Sequence, residues 1–463
     1  MTGIEDYDLV VLGSGEAGKY LAWTLAAEGK RAAVVERRYV GGSCPNVACL
    51  PSKNLIHSAK VASYVRRAHE FGVRADGGTV DMAAVRDRKR AMVAGLIALH
   101  EHKFEASGAE LVRGHGTFVG PRTVEVTLTA GGTRTLRGAA VVVSTGSRAR
   151  VDDTPGLRAA RPLTHVEALE LDRVPDHLVV LGAGYIGLEL AQAFRRFGSR
   201  VTVLERNPAP ISKEDPDVTA AVADLLRDEG IDLFTGATVE RVEGESGTSV
   251  RIHASRGGSP LAVEGTHLLA AGGRTPNTDG IGLEAAGIEV DSRGHVRVDD
   301  RLRTTAANVF AVGDCAGSPY FTHIAFDDFR VVRDAMAGKD RATAGRPVPY
   351  CLFTDPELAR VGLSEREARD RGIAYRLAKI PMDRVLRTRT LSETRGFMKA
   401  LIGPDDRILG FTMFGVEAGE VMPVVQVAMA AGLPYTALRD AVLTHPTMAE
   451  GLNVLFAAVS AAS

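Results

Sequence analysis

Two cysteines with four residues between them, Cys44 and Cys49, stand in the stretch GGSCPNVACLPSK at 41–53. Five residues of regular helix rise about 7.5 Å, more than the Cα separation of about 4.4–6.8 Å that an unstrained disulfide accepts. The segment must therefore bend if the sulfurs bond. Pro45 suits the first turn after such a bend, and a helix can resume at Pro51, because proline has no N–H to lose there. A helix start beside the sulfurs favours thiolate over thiol. As a mere staple the pair would stabilise the fold by only roughly 2 kcal/mol, and a chain with no export signal belongs where thiols stay reduced. The pair reads as a redox-active disulfide. Cys315 and Cys351 stand alone and read as small core residues.

The elements that position this pair begin upstream. A short apolar strand at 7–12 runs into Gly13-Ser14-Gly15-Glu16-Ala17-Gly18, then a helical pattern, then RAAVVER ending at Glu36. The first glycine permits a tight turn, the second lets backbone approach a pyrophosphate, and the third lets helix pack on strand. Glu36 is placed to accept from ribose hydroxyls. The unit recurs: Gly182, Gly184, Gly187 and Glu205 each follow their counterparts by 169 residues. Two dinucleotide sites with a cysteine pair attached to the first suggest a bound flavin, an exchangeable nicotinamide and an electron relay.

Elsewhere, 80–108 reads as a long amphipathic helix and 110–128 as a strand pair. AAVVVSTGSRAR gives a buried strand ending at Thr145-Gly146, and TTAANVFAVGDCAG another ending at Gly313-Asp314. From about Arg346 short strands and then helices suggest a third, α+β domain. The 463 residues carry 56 Lys+Arg against 57 Asp+Glu, so no basic field exists to collect nucleic acid or anionic lipid. The N-terminal apolar run is a strand rather than a signal peptide, and no stretch is long enough to span a bilayer. The expected location is the cytoplasm. The spacings of His57, His69, His100 and His102 offer no metal site.

The whole chain resembles the class I pyridine nucleotide-disulfide oxidoreductases, on GxGxxG twice, GGSCPNVACLPSK, STG, GGRTPN, FAVGD and THPTMAE. Within that group, 320–336 and 431–456 look most like the reactive-chlorine-resistance flavoprotein and mercuric-reductase-like proteins. The resemblance implies an α/β fold of two Rossmann-like dinucleotide-binding domains, for FAD and NAD(P), plus a C-terminal α+β dimerisation domain. The boundaries expected are 1–154 for FAD, 155–275 for NAD(P), 276–345 for a return to the FAD or central region, and 346–463 for dimerisation.

Carried over by position, the resemblance makes Cys44 the interchange thiol that attacks substrate and Cys49 the charge-transfer thiol against the flavin. Lys53, near flavin N5, pairs with Glu189, and Tyr185 covers the nicotinamide pocket until the nucleotide enters. Gly42, Ser43, Gly116, Thr145, Gly146 and Asp314 match FAD contacts, and Gly272 and Arg274 lie near the nicotinamide nucleotide. His445 with Glu450 matches the acid/base pair that the other subunit supplies, so the site would exist only in a homodimer. An imidazole oriented by a carboxylate is also what thiol–disulfide exchange needs.

The implied enzyme is an FAD-dependent, NAD(P)H-driven reductase whose acceptor is a small disulfide, a metal ion or an oxidant. Glu205 would repel a 2′-phosphate and favours NADH, although the adjacent Arg206 could welcome one. There is no vicinal cysteine pair near the C-terminus and no N-terminal metal-binding domain, so mercuric ion is a poor substrate expectation. The alternatives are a lipoamide dehydrogenase serving a 2-oxo acid dehydrogenase complex and, in a different class, a redox-sensing flavoprotein with little turnover.

Overall fold

The computed structural model describes residues 3–75 and 78–460. The first unit is built on strand Ile4–Leu12, whose last four residues are apolar and buried. At Gly13 the backbone turns with φ +93°, a conformation open to glycine, and helix Glu16–Ala27 leads into strand Ala32–Glu36. These two strands pair in parallel, and Thr133–Val143 lies parallel on the other side of the first. Glu110–Gly120 continues the sheet beyond Ala32–Glu36, while Thr123–Leu128 bridges the far ends of the two long strands. The long helix predicted at 80–108 forms as Met82–Ser107, with the Asp81 side chain accepting from the N–H of Ala84 and Gly108 ending it at φ +77°.

The chain crosses to the second unit through Ser147–Ala149, which pairs antiparallel with Arg274–Pro276 on the return. That unit is a four-stranded parallel sheet in the order His267–Ala270, His177–Leu181, Arg200–Glu205, Asp232–Thr235, flanked by a three-stranded antiparallel sheet at 237–265. The chain then rejoins the first sheet through Val309–Ala311, parallel to 141–143. Five antiparallel strands from Tyr350–Leu352 to Ile408–Gly415 form the third unit, backed by helices Ala418–Ala430, Tyr435–Arg439 and Gly451–Ala457.

The bend between the cysteines falls in a different place from the one expected. A single turn, Ser43–Asn46, contains Cys44 and Pro45; the chain breaks at Val47 and Ala48, and the helix restarts at Cys49 and runs to Arg66. Pro51 is thus the third helical residue and not the first, and Pro45 is likewise the third residue of its own turn. Both positions belong to the first four N–H groups of a helix, which have no intrahelical acceptor, so proline costs nothing there. The Asn46 amide fixes the break by donating to the carbonyls of Val40 (2.8 Å) and Gly42 (2.7 Å).

The second and third units are joined by buried charge. Lys399 Nζ, fully buried, donates to Asp215 (2.7 Å), Asp217 (2.8 Å) and Glu365 (3.0 Å). Burial works against its charge, but these bonds hold Lys399 above the ordinary lysine range. The same three acids are the one grouping among the described residues close enough to hold a metal ion, and the ammonium already bonds to all three. Lys399→Met leaves three carboxylates facing one another, and denaturant unfolding should show a loss of about 3–5 kcal/mol. A loss under about 1 kcal/mol would mean that solvent, not Lys399, neutralises them.

Candidate active site

Cys44 and Cys49 are free thiols in this structure, both partly buried and both lining one cleft of about 1450 Å³ between the units. Cys49 is the first residue of its helix, where unpaired N–H groups favour negative charge. The hydrogen bond from Cys44 pulls its thiol below the ordinary range; burial opposes this, while the Thr322 hydroxyl and the Lys53 ammonium support it. Thr322 Oγ1 lies 3.3 Å from Cys49 Sγ. Cys44, giving that hydrogen bond and itself buried, is pushed up. Cys49 is thus the more readily ionised sulfur of the two.

One turn along the helix, Lys53 Nζ donates to Glu189 Oε2 at 2.7 Å, and Glu189 Oε1 accepts from the N–H of Phe353 at 3.0 Å. Lys53 also lies 4.7 Å from the Phe353 ring centroid. The pair therefore ties the first unit to the second and the second to the third, beside the sulfurs.

The glycines divide in a consistent way. A Cβ on Gly13 would lie 2.4 Å from Ser144 O, and one on Gly18 2.7 Å from Val11 Cγ1; in the second unit Gly182 would meet Ala271 O at 2.7 Å and Gly187 would meet Gly182 O at 2.1 Å. Gly15 and Gly184, the middle glycines, line the cleft. Gly42 packs on Gly15, where a Cβ would come within 2.7 Å of its Cα. Ser43, Gly146, Asp314 and Arg274 also line the cleft, while Thr145 carries a buried hydroxyl with no hydrogen-bond partner. Closed outer glycines, middle ones that line the cleft, an unpartnered hydroxyl and this volume fit two extended dinucleotides.

Several expected contacts take a more particular form. Glu36 accepts from Ser14 N (2.9 Å) and Oγ (2.7 Å), Arg38 N (2.7 Å) and Tyr39 N (2.9 Å), so it pins the glycine turn. Glu205 does the same in the second unit, accepting from Ala183 N (2.7 Å) and from Asn207 N (2.7 Å) and Nδ2 (2.6 Å). Arg274 donates to Ser147 Oγ (2.7 Å) and O (3.0 Å) and lies 3.7 Å from Asp314, so it faces the first unit's strand ends. Gly116 sits in a strand against Leu12, Val35 and Val124, and Gly272 lies behind Gly182.

His445 Nδ1–H donates to Glu450 Oε2 at 2.8 Å, but the imidazole is 64 % exposed and does not line the cleft of its own chain. Two features escaped the sequence. Thr322, 273 residues from Cys49, touches its sulfur. Cys351 packs against the third unit's core, as expected, and burial pushes its thiol up, but it also lines the cleft beside Phe353. Cys315 is fully buried, as expected.

Residues 7–328 match the family described as pyridine nucleotide-disulphide oxidoreductase, and 348–455 match that family's dimerisation domain. The chain belongs to this family. It is 37 % identical over 460 residues to the probable pyridine nucleotide-disulfide oxidoreductase RclA of Escherichia coli, covering 98 % of this chain and 99 % of that one. A mercuric reductase of Bacillus cereus is 34 % identical, covering 98 % of this chain and 71 % of the relative. The solved Cu(II) complex of HOCl-induced flavoprotein disulfide reductase RclA from E. coli superposes with a TM-score of 0.89 at 35 % identity, over 98 % of this chain and all of that one. The chain is therefore an enzyme, a flavoprotein oxidoreductase of the disulfide-reductase family that binds FAD and a pyridine nucleotide, and it carries the unit for pairing with a second copy. Among the described residues, no helix is long and apolar enough to cross a membrane.

Because the Thr322 hydroxyl lowers the Cys49 thiol, Thr322→Val should shift its titration to higher pH. A long-wavelength thiolate–flavin absorbance, expected of the reduced enzyme, should fade at a higher pH in the variant than in wild type. Coincident titrations would show that Thr322 does not stabilise the thiolate.

Proposed function

We propose that the enzyme uses NADH to reduce a disulfide, an oxidised metal ion or an oxidant at Cys44, with Cys49 as the thiolate facing the flavin. The observation that carries this reading is the unequal cysteine pair at a helix start in the inter-unit cleft. Bound FAD supplies the two-electron relay between the nicotinamide and the sulfurs.

The chain's own residues perform the remaining tasks. Lys53 holds positive charge beside the relay, and Glu189 fixes its direction. Tyr185 lines the nicotinamide side of the cleft, as a cover that the incoming nucleotide displaces. Cys44 keeps its proton until a base removes it. In a homodimer His445 of one protomer would serve the cleft of its partner. Its Nδ1–H is committed to Glu450, so Nε2 takes the proton from Cys44 and returns it to the departing group.

NADH is preferred because a 2′-phosphate would lie against the Glu205 carboxylate, held in place by three N–H donors. Among acceptors, the relative solved as a Cu(II) complex and the mercuric reductase relative make metal ions the first class to test. Cu(II) precedes Hg(II), because this sequence has no cysteine after Cys351. The cytoplasm is the compartment in which such a thiol pair stays supplied with reductant.

Cys44→Ser should lower Cu(II) or disulfide turnover by more than about 100-fold while NADH still reduces the flavin. Mixing Cys44→Ser with His445→Ala protomers should restore part of the activity, since one site in the mixed dimer has both groups; no restoration would contradict a shared site. Catalytic efficiency should be higher with NADH, and a strong NADPH preference would overturn the assignment to Glu205.

A further inference from the structure

One buried carboxylate joins the second and third units at a wall of the cleft. Tyr185 opens helix Tyr185–Phe197, and its ring lies 5.6 Å from Tyr350 and 6.2 Å from Phe321 in tilted contacts. Tyr350 and Phe321 themselves stack, with centroids 5.9 Å apart and planes 4° from parallel. Tyr350 is buried at the start of a strand of the third unit, and its hydroxyl donates to Glu214 Oε1. The Arg360 guanidinium lies 5.3 Å from the Tyr350 ring centroid.

Glu214 belongs to the second unit and is only 4 % exposed. Its Oε2 makes no hydrogen bond, with Arg360 Nη1 3.6 Å away. The segment that carries it cannot drift. Arg366 donates to Ser212 O at 3.0 Å, and the neighbouring Asp215 is bound to Lys399. A carboxylate this buried and only half satisfied is a poor source of stability, but it is an effective way to fix a phenol. Tyr350 is thus held on three sides, whereas no hydrogen bond anchors the Tyr185 hydroxyl among the described residues, and its ring meets Tyr350 and Phe321 in tilted contacts. Tyr185, Glu214, Phe321, Tyr350 and Arg360 all line the cleft.

We propose that Tyr350, anchored by Glu214, is a positioning residue for the nicotinamide slot, the fixed face against which Tyr185 closes and the incoming nucleotide packs. This rests on the reading of Tyr185 given above. The slot's shape then depends on the docking of the second unit on the third, and preorganisation of one ring appears as nucleotide affinity and not as chemistry.

The test uses the FAD-loaded homodimer. KM for NADH is measured at saturating acceptor, and the Kd of NAD+ by isothermal titration calorimetry. Tyr350→Phe, which keeps the ring and loses the anchor, should raise both by about fivefold, the worth of one hydrogen bond, with kcat within twofold of wild type. Glu214→Leu should match it, Glu214→Gln should show a smaller rise because it keeps an acceptor, and the Phe/Leu double variant should be no worse than either single. Tyr350→Phe is nearly isosteric and decides alone if Glu214→Leu does not fold. KM and Kd within twofold of wild type in Tyr350→Phe, or effects that add in the double variant, would overturn the proposal. Tyr185→Ser separates the two levels: if it weakens nucleotide binding and Tyr350→Phe does not, only the anchoring proposal falls. If Tyr185→Ser also leaves binding intact, the pocket assignment falls with it.

Discussion

Glu189 receives a donor from each side of the molecule, and the site depends on its doing so. One oxygen takes Lys53 from the helix that begins at Cys49; the other takes the backbone N–H of Phe353 in the third unit, while Glu189 itself belongs to the second. A carboxylate only 6 % exposed is costly unless paired. These units must therefore dock in one relation for it to be satisfied. That relation brings the thiolate end of one helix, the middle glycines of two dinucleotide turns and the Tyr185 wall to a single cleft. The same logic recurs at Lys399 and at Glu214, where charge buried between the second and third units has partners in only one arrangement.

Within this frame the asymmetry of the sulfurs is local physics. The break at Val47 and Ala48 gives each cysteine a place in the first turn of its own helix. Cys49 alone has the first position of an eighteen-residue helix, the Thr322 hydroxyl at its sulfur and an ammonium one turn further on. Cys44, buried beside it, is pushed the other way. A pair so divided can present one sulfur to an electron donor and the other to an acceptor, and under the proposed function the exposed His445–Glu450 pair would supply the proton chemistry from a second copy.

What could be read from the sequence was what short-range geometry encodes. The glycine turns were legible because their spacing reports a conformation and a close approach within about six residues, and the 169-residue repeat marked the second unit. The cysteine spacing implied a bend, but Pro51 suggested the wrong helix start, because proline is accommodated at the third helical residue as well as at the first. Contacts made by docking left no local mark. Thr322 is 273 residues from Cys49, Phe353 is 164 from Glu189, and Tyr350 is 136 from Glu214. Cys351 likewise gave no sign that it faces the cleft, since an isolated cysteine in a strand has the pattern of a core residue. The motif marks Glu36 and Glu205 as ribose-binding acids; that each also pins its own glycine turn depends on how the loop after each strand folds back.

The central claim, that reducing equivalents pass from the nicotinamide nucleotide to the Cys44–Cys49 pair, is tested most directly by an anaerobic titration of the flavin-loaded enzyme with NADH. A long-wavelength thiolate-to-flavin absorbance is expected at two-electron reduction in wild type and should be absent in Cys49→Ser. Direct bleaching of wild type to reduced flavin, with no such band, would contradict it.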